Sequence, residues 1–131
     1  MNKYLLLFFK IIAAIIMLQT LFYKFSGAQE SIDLFTKLAG ENEAYMRIGT
    51  GILELAASIL LFIPKTIWLG GLLTIGLMGG AILSHLTKLG IEHNNDGGLL
   101  FIAAIVTFVS GGIVLFSDRK SIPYIKEVLK N

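Results

Sequence analysis

The chain has 131 residues, 55% hydrophobic and 15% charged, with a formal charge of +2 and a mean hydropathy of +0.77. A soluble domain carries about 45–50% apolar and about 25% charged residues, so an excess gathered into blocks of about twenty points to lipid as the solvent. The small net charge argues against a nucleic-acid binder, and the lack of cysteine excludes disulfide exchange, thiolate catalysis, iron–sulfur ligation and cysteine-held zinc within this chain.

The length predicts a single domain over residues 1–131. Its first predicted span covers about 4–25, long enough for an apolar core about 30 Å thick at about 1.5 Å per residue. Lys10 interrupts it close enough to the end for its stem to reach water, and Gln19 lies deeper. Ser26-Gly27-Ala28 loosely resembles a signal cleavage site, but the apolar run outlasts a usual signal core, so it is read as a retained span. The polar stretch that follows predicts a short surface helix over about 31–39, capped by Ser31 with Asp33 in its first turn and ended by Gly40. Ile32, Phe35, Leu38 and Ala39 share one face, which suits a helix in the interface or over the mouth of a bundle. A loop with one helical turn is the alternative.

The second predicted span covers about 45–63. Glu41 and Glu43 precede it, favourable beside a helix N-terminus, and Pro64-Lys65 closes it with a turn. Gly49 and Gly51 permit close helix contact. The run Arg47 to Pro64 is apolar enough to cross a bilayer yet carries Glu54, and a carboxylate at such depth costs about 2.5–3.5 kcal/mol on insertion scales. The third span covers about 67–89, with Trp68 at its interfacial start. Gly76, Gly80 and Ser84 form a small-residue ladder, joined by Gly79, that predicts a helix–helix contact. Met78, Ala81 and His85 fall on one side. Gly90 ends this helix, and Asn95 or Asp96 caps a fourth span over about 97–116, where Gly111 and Gly112 predict another close contact. The tail 118–131 can start a helix at Pro123. There Tyr124, Ile125, Val128 and Leu129 oppose Lys126 and Lys130, as in a basic surface helix on anionic lipid.

The fold class is therefore all-α: an integral membrane four-helix bundle, with short amphipathic interfacial helices after the first span and at the C-terminus. Four spans place both termini on one side with Lys3, Lys65, Arg119, Lys120, Lys126 and Lys130, which predicts cytoplasmic termini. On the other half Glu54, His85, Lys24 and Gln19 approach one height, with Asp96 at the start of the fourth span. Gly51, Glu54 and Ser58 share a face, with Arg47 a turn above. A lone Glu in hydrocarbon takes up a proton or finds a cation, and His85, Lys24 and Arg47 are the available partners. A Glu–His pair suits proton transfer, whereas a pair that only fixes packing is the structural alternative. A metal cluster of His85, Glu92, His93 and Asp96 matches no firm spacing and reads as a solvated loop.

Taken together, Lys24-Phe25-Ser26-Gly27, Gly51-x-x-Glu54, Met78-x-x-Ala81-x-x-x-His85 and Asp96-Gly97-Gly98 make the chain resemble the DoxX family of small four-helix bacterial membrane proteins, over about residues 4–117. The resemblance implies a place in the bacterial cytoplasmic membrane and a link to redox chemistry. Glu54 and His85 would form the shared polar core as a proton-transfer pair. Lys24, Gly51, Met78, Ala81 and Asp96 would complete a site for a quinone or similar lipid-soluble ligand. The partners implied are the bilayer, a partner oxidoreductase or other membrane protein, and a second copy of the chain. A non-enzymatic scaffold for a partner protein is the alternative, and a small weak-acid transporter is a third reading.

Overall fold

The computed structural model describes residues 2–92 and 96–130, and within them the chain is helical with no strand. Asn95 and His93 therefore lie outside the described residues. Helix α1 runs Lys3–Gln19 and α2 runs Leu21–Ser26. The two form one apolar run broken at Thr20, whose hydroxyl turns back onto the Met17 carbonyl at 3.1 Å. Gly27, with φ +72°, ends α2 in the left-handed conformation that a β-carbon disfavours.

Helix α3 runs Gln29–Ala39, starting two residues before the predicted surface helix. Ser31 does not cap it. Ala28 holds the cap position, Glu30 supplies the first-turn acid, and Ser31 sits inside the first turn. Gly40 ends α3 at φ +56° and opens a single 3-10 turn, Gly40–Asn42.

Helix α4 runs Glu43–Leu60. It ends three residues before the predicted limit because Leu61 to Thr66 fold into turns around Pro64, with the Thr66 amide donating to the Ile63 carbonyl at 2.9 Å. Helix α5 runs Ile67–Ser84, and a π-helical turn over His85–Leu89 completes the predicted third span. Helix α6 runs Leu99–Ser117, and α7 runs Pro123–Lys130 after a 3-10 turn at Arg119–Ser121. Gly98 holds the cap position of α6, and Asp96, two residues before it, braces the start of the helix: its Oδ1 accepts from the Gly98 amide at 2.8 Å and its Oδ2 from the Leu100 amide at 3.2 Å.

Three stretches, Lys3–Ser26, Ile67–Leu89 and Leu99–Ser117, are long and apolar enough to cross a membrane. Helix α4 is not among them, since it carries Glu43, Arg47 and Glu54. The four long helices pack in the cyclic order α1, α4, α5, α6, with α5 against α6 the most extensive contact. Their shared core is Ala13, Met17, Ala57, Leu61, Met78, Ala104 and Val114. Buried hydroxyls return to carbonyls four residues back, as Thr74 does to Gly70 and Thr107 to Ala103, both at 2.8 Å.

Glycine sets the closest approaches, but only part of the predicted set does so. A β-carbon on Gly70 would lie 2.7 Å from the nitrogen of Leu61, the C-cap of α4, and one on Gly111 would lie 2.8 Å from Thr74 Cγ2 of α5. Gly76, Gly80 and Gly112, all expected in helix contacts, have no atom within 4 Å of an added β-carbon.

Candidate functional site

At one end of the ring the four long helices part around a cavity of about 630 Å³, roofed by α3. That size is within the range of about 300–1,000 Å³ usual for small-molecule sites. Most of the wall is apolar: Ile16 of α1, Leu34, Phe35 and Leu38 of α3, Met46 of α4, Leu77, Met78 and Ala81 of α5, and Leu100 with Ala103 and Ala104 of α6. The polar groups are Gln19, Thr20, Tyr23, Lys24, Glu30, Ser31, Thr50, Glu54, Ser84 and His85.

Glu54 lies at the middle of α4 and is 4% exposed. Lys24 reaches it from α2, with Nζ 2.9 Å from Glu54 Oε1. The contact is an ion pair by distance, yet Oε1 has no well-directed hydrogen bond, so the carboxylate is held chiefly by charge. The directed bond of that ammonium goes to Thr20 Oγ1, at 2.7 Å. The break between α1 and α2 therefore has a use: it exposes a hydroxyl that steers the lysine inward. With one directed bond to Thr20, the ammonium keeps donor capacity for a further acceptor.

Arg47 does not serve Glu54. Its Nε donates to Glu43 Oε2 at 2.9 Å, and its Nη1 donates to the Lys24 carbonyl at the end of α2. Arg47 is 7% exposed, and its guanidinium locks the end of α2 onto α4. Lys88 does the same from the π turn, donating to the Leu38 carbonyl near the end of α3 at 3.3 Å. Cations at these two positions meet the negative ends of two short helices.

His85 opens the π turn and is 4% exposed. Its Nδ1 lies 2.9 Å from the Gly90 carbonyl oxygen, and a carbonyl only accepts, so Nδ1 carries the hydrogen. In the neutral ring Nε2 is then the acceptor, and no hydrogen bond to it is formed among the described residues. The ring is tilted against Phe101, centroid to centroid 5.6 Å. The π turn matters here because its extra residue widens the last coil of α5 and lets the chain curl back to Gly90.

No family model, curated protein or solved structure matches the chain. The chemistry of the cavity rests on its own side chains.

Of the residues singled out in the sequence, Glu54, Lys24, His85, Met78 and Ala81 share the cavity wall. Gly51 and Asp96 do not. The Gly51 α-carbon packs beneath the Phe25 ring, where an added β-carbon would lie 2.8 Å from Cε1, and Asp96 accepts from the Gly98 and Leu100 amides at the start of α6. Thr20, Glu30 and Ser31 were missed as wall residues. Thr20 was legible, four residues before Lys24 on one helix face. Glu30 and Ser31 were not, since only the fold of α3 over the opening brings them there.

The arrangement joins a cation with a spare donor, a carboxylate and an imidazole acceptor inside an apolar enclosure. That set can hold a ligand bearing two oxygens and exchange protons with it.

Proposed function

We propose that the chain is a DoxX-like integral membrane protein, its α1, α4, α5 and α6 forming a four-helix bundle in the bacterial cytoplasmic membrane with both termini in the cytoplasm. In this reading it is a redox-linked subunit that binds a quinone, or a similar lipid-soluble ligand, in the outer half of the bundle. The observation that carries it is the cavity that gathers Glu54, Lys24 and His85 in a mostly apolar wall. The burial of these charges supports the fourth crossing, because Arg47 and Glu54 are each paired with an opposite charge within the protein and not presented outward.

Reduction of a quinone to a quinol takes two electrons and two protons. A partner oxidoreductase would supply the electrons, Lys24 would donate a hydrogen bond to one quinone oxygen, and the Glu54 carboxylate and His85 Nε2, each first taking up a proton from water, would deliver those two protons to the quinone oxygens. The chain's part is to bind, orient and proton-couple the ligand.

The test is mass spectrometry of small molecules co-purifying in mild detergent with the wild type, Glu54→Gln and His85→Ala, matched for folding. A quinone present in the wild type and depleted at least tenfold in both variants is the expected result. Identical lipid-only extracts from all three would overturn the ligand reading and leave Glu54 and His85 as packing groups of a scaffold.

A further inference from the structure

Helices α4 and α5 meet tightly at one end and part at the other. At Gly70 there is no room for a β-carbon, which would lie 2.7 Å from the Leu61 nitrogen. Further along α5, Gly76 and Gly80 are exposed and have no atom within 4 Å of an added β-carbon, although both border the cavity. Gly79 between them faces the other way, 3.5 Å from Phe108 of α6 by the same measure. Met46 and Thr50 of α4 border the same cavity, and Met46 is exposed. Behind this gap lie two polar groups more than nine-tenths buried: Glu54, whose Oε1 lacks a directed hydrogen bond, and His85, whose Nε2 has no partner among the described residues.

We infer that the cavity opens sideways between α4 and α5, across Gly76 and Gly80, and that its ligand enters there and leaves an apolar tail in the gap. This rests on the membrane reading above and adds the shape of the ligand: a polar head bearing oxygens and a long unbranched or isoprenoid chain. Glycine fits such a channel because any side chain at 76 or 80 would occupy it. The ammonium, carboxylate and imidazole hold the head, and the apolar flank of α5 with Met46 holds the first part of the tail.

Two readouts separate this from the quinone reading. The first is binding of a decyl-substituted benzoquinone and of its tail-less parent to purified protein. Gly80→Leu and Gly76→Leu should weaken the decyl compound at least tenfold and the tail-less one less than threefold. Gly112→Leu, equally free of neighbours at its β-carbon and outside the cavity wall, should change neither. Equal affinity of the decyl compound for all the variants would overturn the portal. The second readout needs no ligand. The chain lacks cysteine, so Thr50→Cys gives a single thiol. In liposomes a membrane-partitioning maleimide should label it, a charged aqueous maleimide should not, and adding Gly80→Leu should protect it. Labelling by the aqueous reagent alone would overturn the portal. Correct labelling with neither quinone bound would overturn the quinone and leave the portal standing.

Discussion

At the scale of single residues, the chain places three charges where water is scarce and answers each with a named partner. Breaking a buried pair costs about 3–5 kcal/mol because one charge is left alone, whereas removing both can be nearly neutral. Glu54→Leu, which strands the Lys24 ammonium, should therefore lower stability far more than the double variant Lys24→Met with Glu54→Leu. Unfolding in mixed detergent, run as a double-mutant cycle, checks this. Additive losses would mean that the 2.9 Å approach carries no coupling. Arg47 is a second case. Its guanidinium bonds Glu43 and the Lys24 carbonyl at once, a fork that an ammonium cannot copy. Arg47→Lys should cost about 1.5–3 kcal/mol, the worth of a charged hydrogen bond, and should raise amide exchange locally around residues 24–28. The Lys24–Glu54 meeting was legible because a buried carboxylate demands a cation. The choice of Lys24 over His85 and Arg47 was not, since it depends on Thr20 turning the lysine inward while Gly90 holds His85 Nδ1 and Glu43 holds Arg47 aside.

At the scale of elements, the same residue type does opposite work along one helix. Gly70→Ala pushes a methyl group into the backbone of α4 and should destabilise by about 1–3 kcal/mol, the usual cost of overpacking. Gly76→Ala meets nothing and should instead be neutral or stabilising by up to about 1 kcal/mol, the helix preference of Ala over Gly. Thermal unfolding of the two variants side by side would decide it, and an equal loss at both sites would contradict the divergence of α4 from α5. The order of the apolar helices was legible from apolar blocks, glycines and Pro64, but the break at Thr20 that divides the first into α1 and α2 was not. The use of the glycines was not, because spacing alone does not tell a contact surface from an empty one. The π turn at His85–Leu89 was also invisible, since Leu86-Thr87-Lys88 suits an α-helix equally well and only the pull of Gly90 on Nδ1 marks the departure.

At the scale of the whole molecule, the charges sort by end. Lys3, Lys65, Arg119 and Lys120 flank the helix ends on the side of both termini, and the cavity with its acids lies at the other. In right-side-out cells, single cysteines at Glu41 and Glu92 should react with an impermeant maleimide, and those at Asn2, Lys65 and Ser121 should react only after permeabilisation. The reverse pattern would invert the proposed orientation. The contact at Gly70 and Leu61 has a further, mechanical consequence. It is a fulcrum, with α4 and α5 as the arms of a pair of tongs. Gly80 lies ten residues out, an arm of about 15 Å, so turning one arm by about ten degrees shifts its far end by about 2.6 Å. A methyl group inserted at the pivot would therefore be felt, magnified, at the jaws that frame Glu54, without touching any residue of the cavity wall.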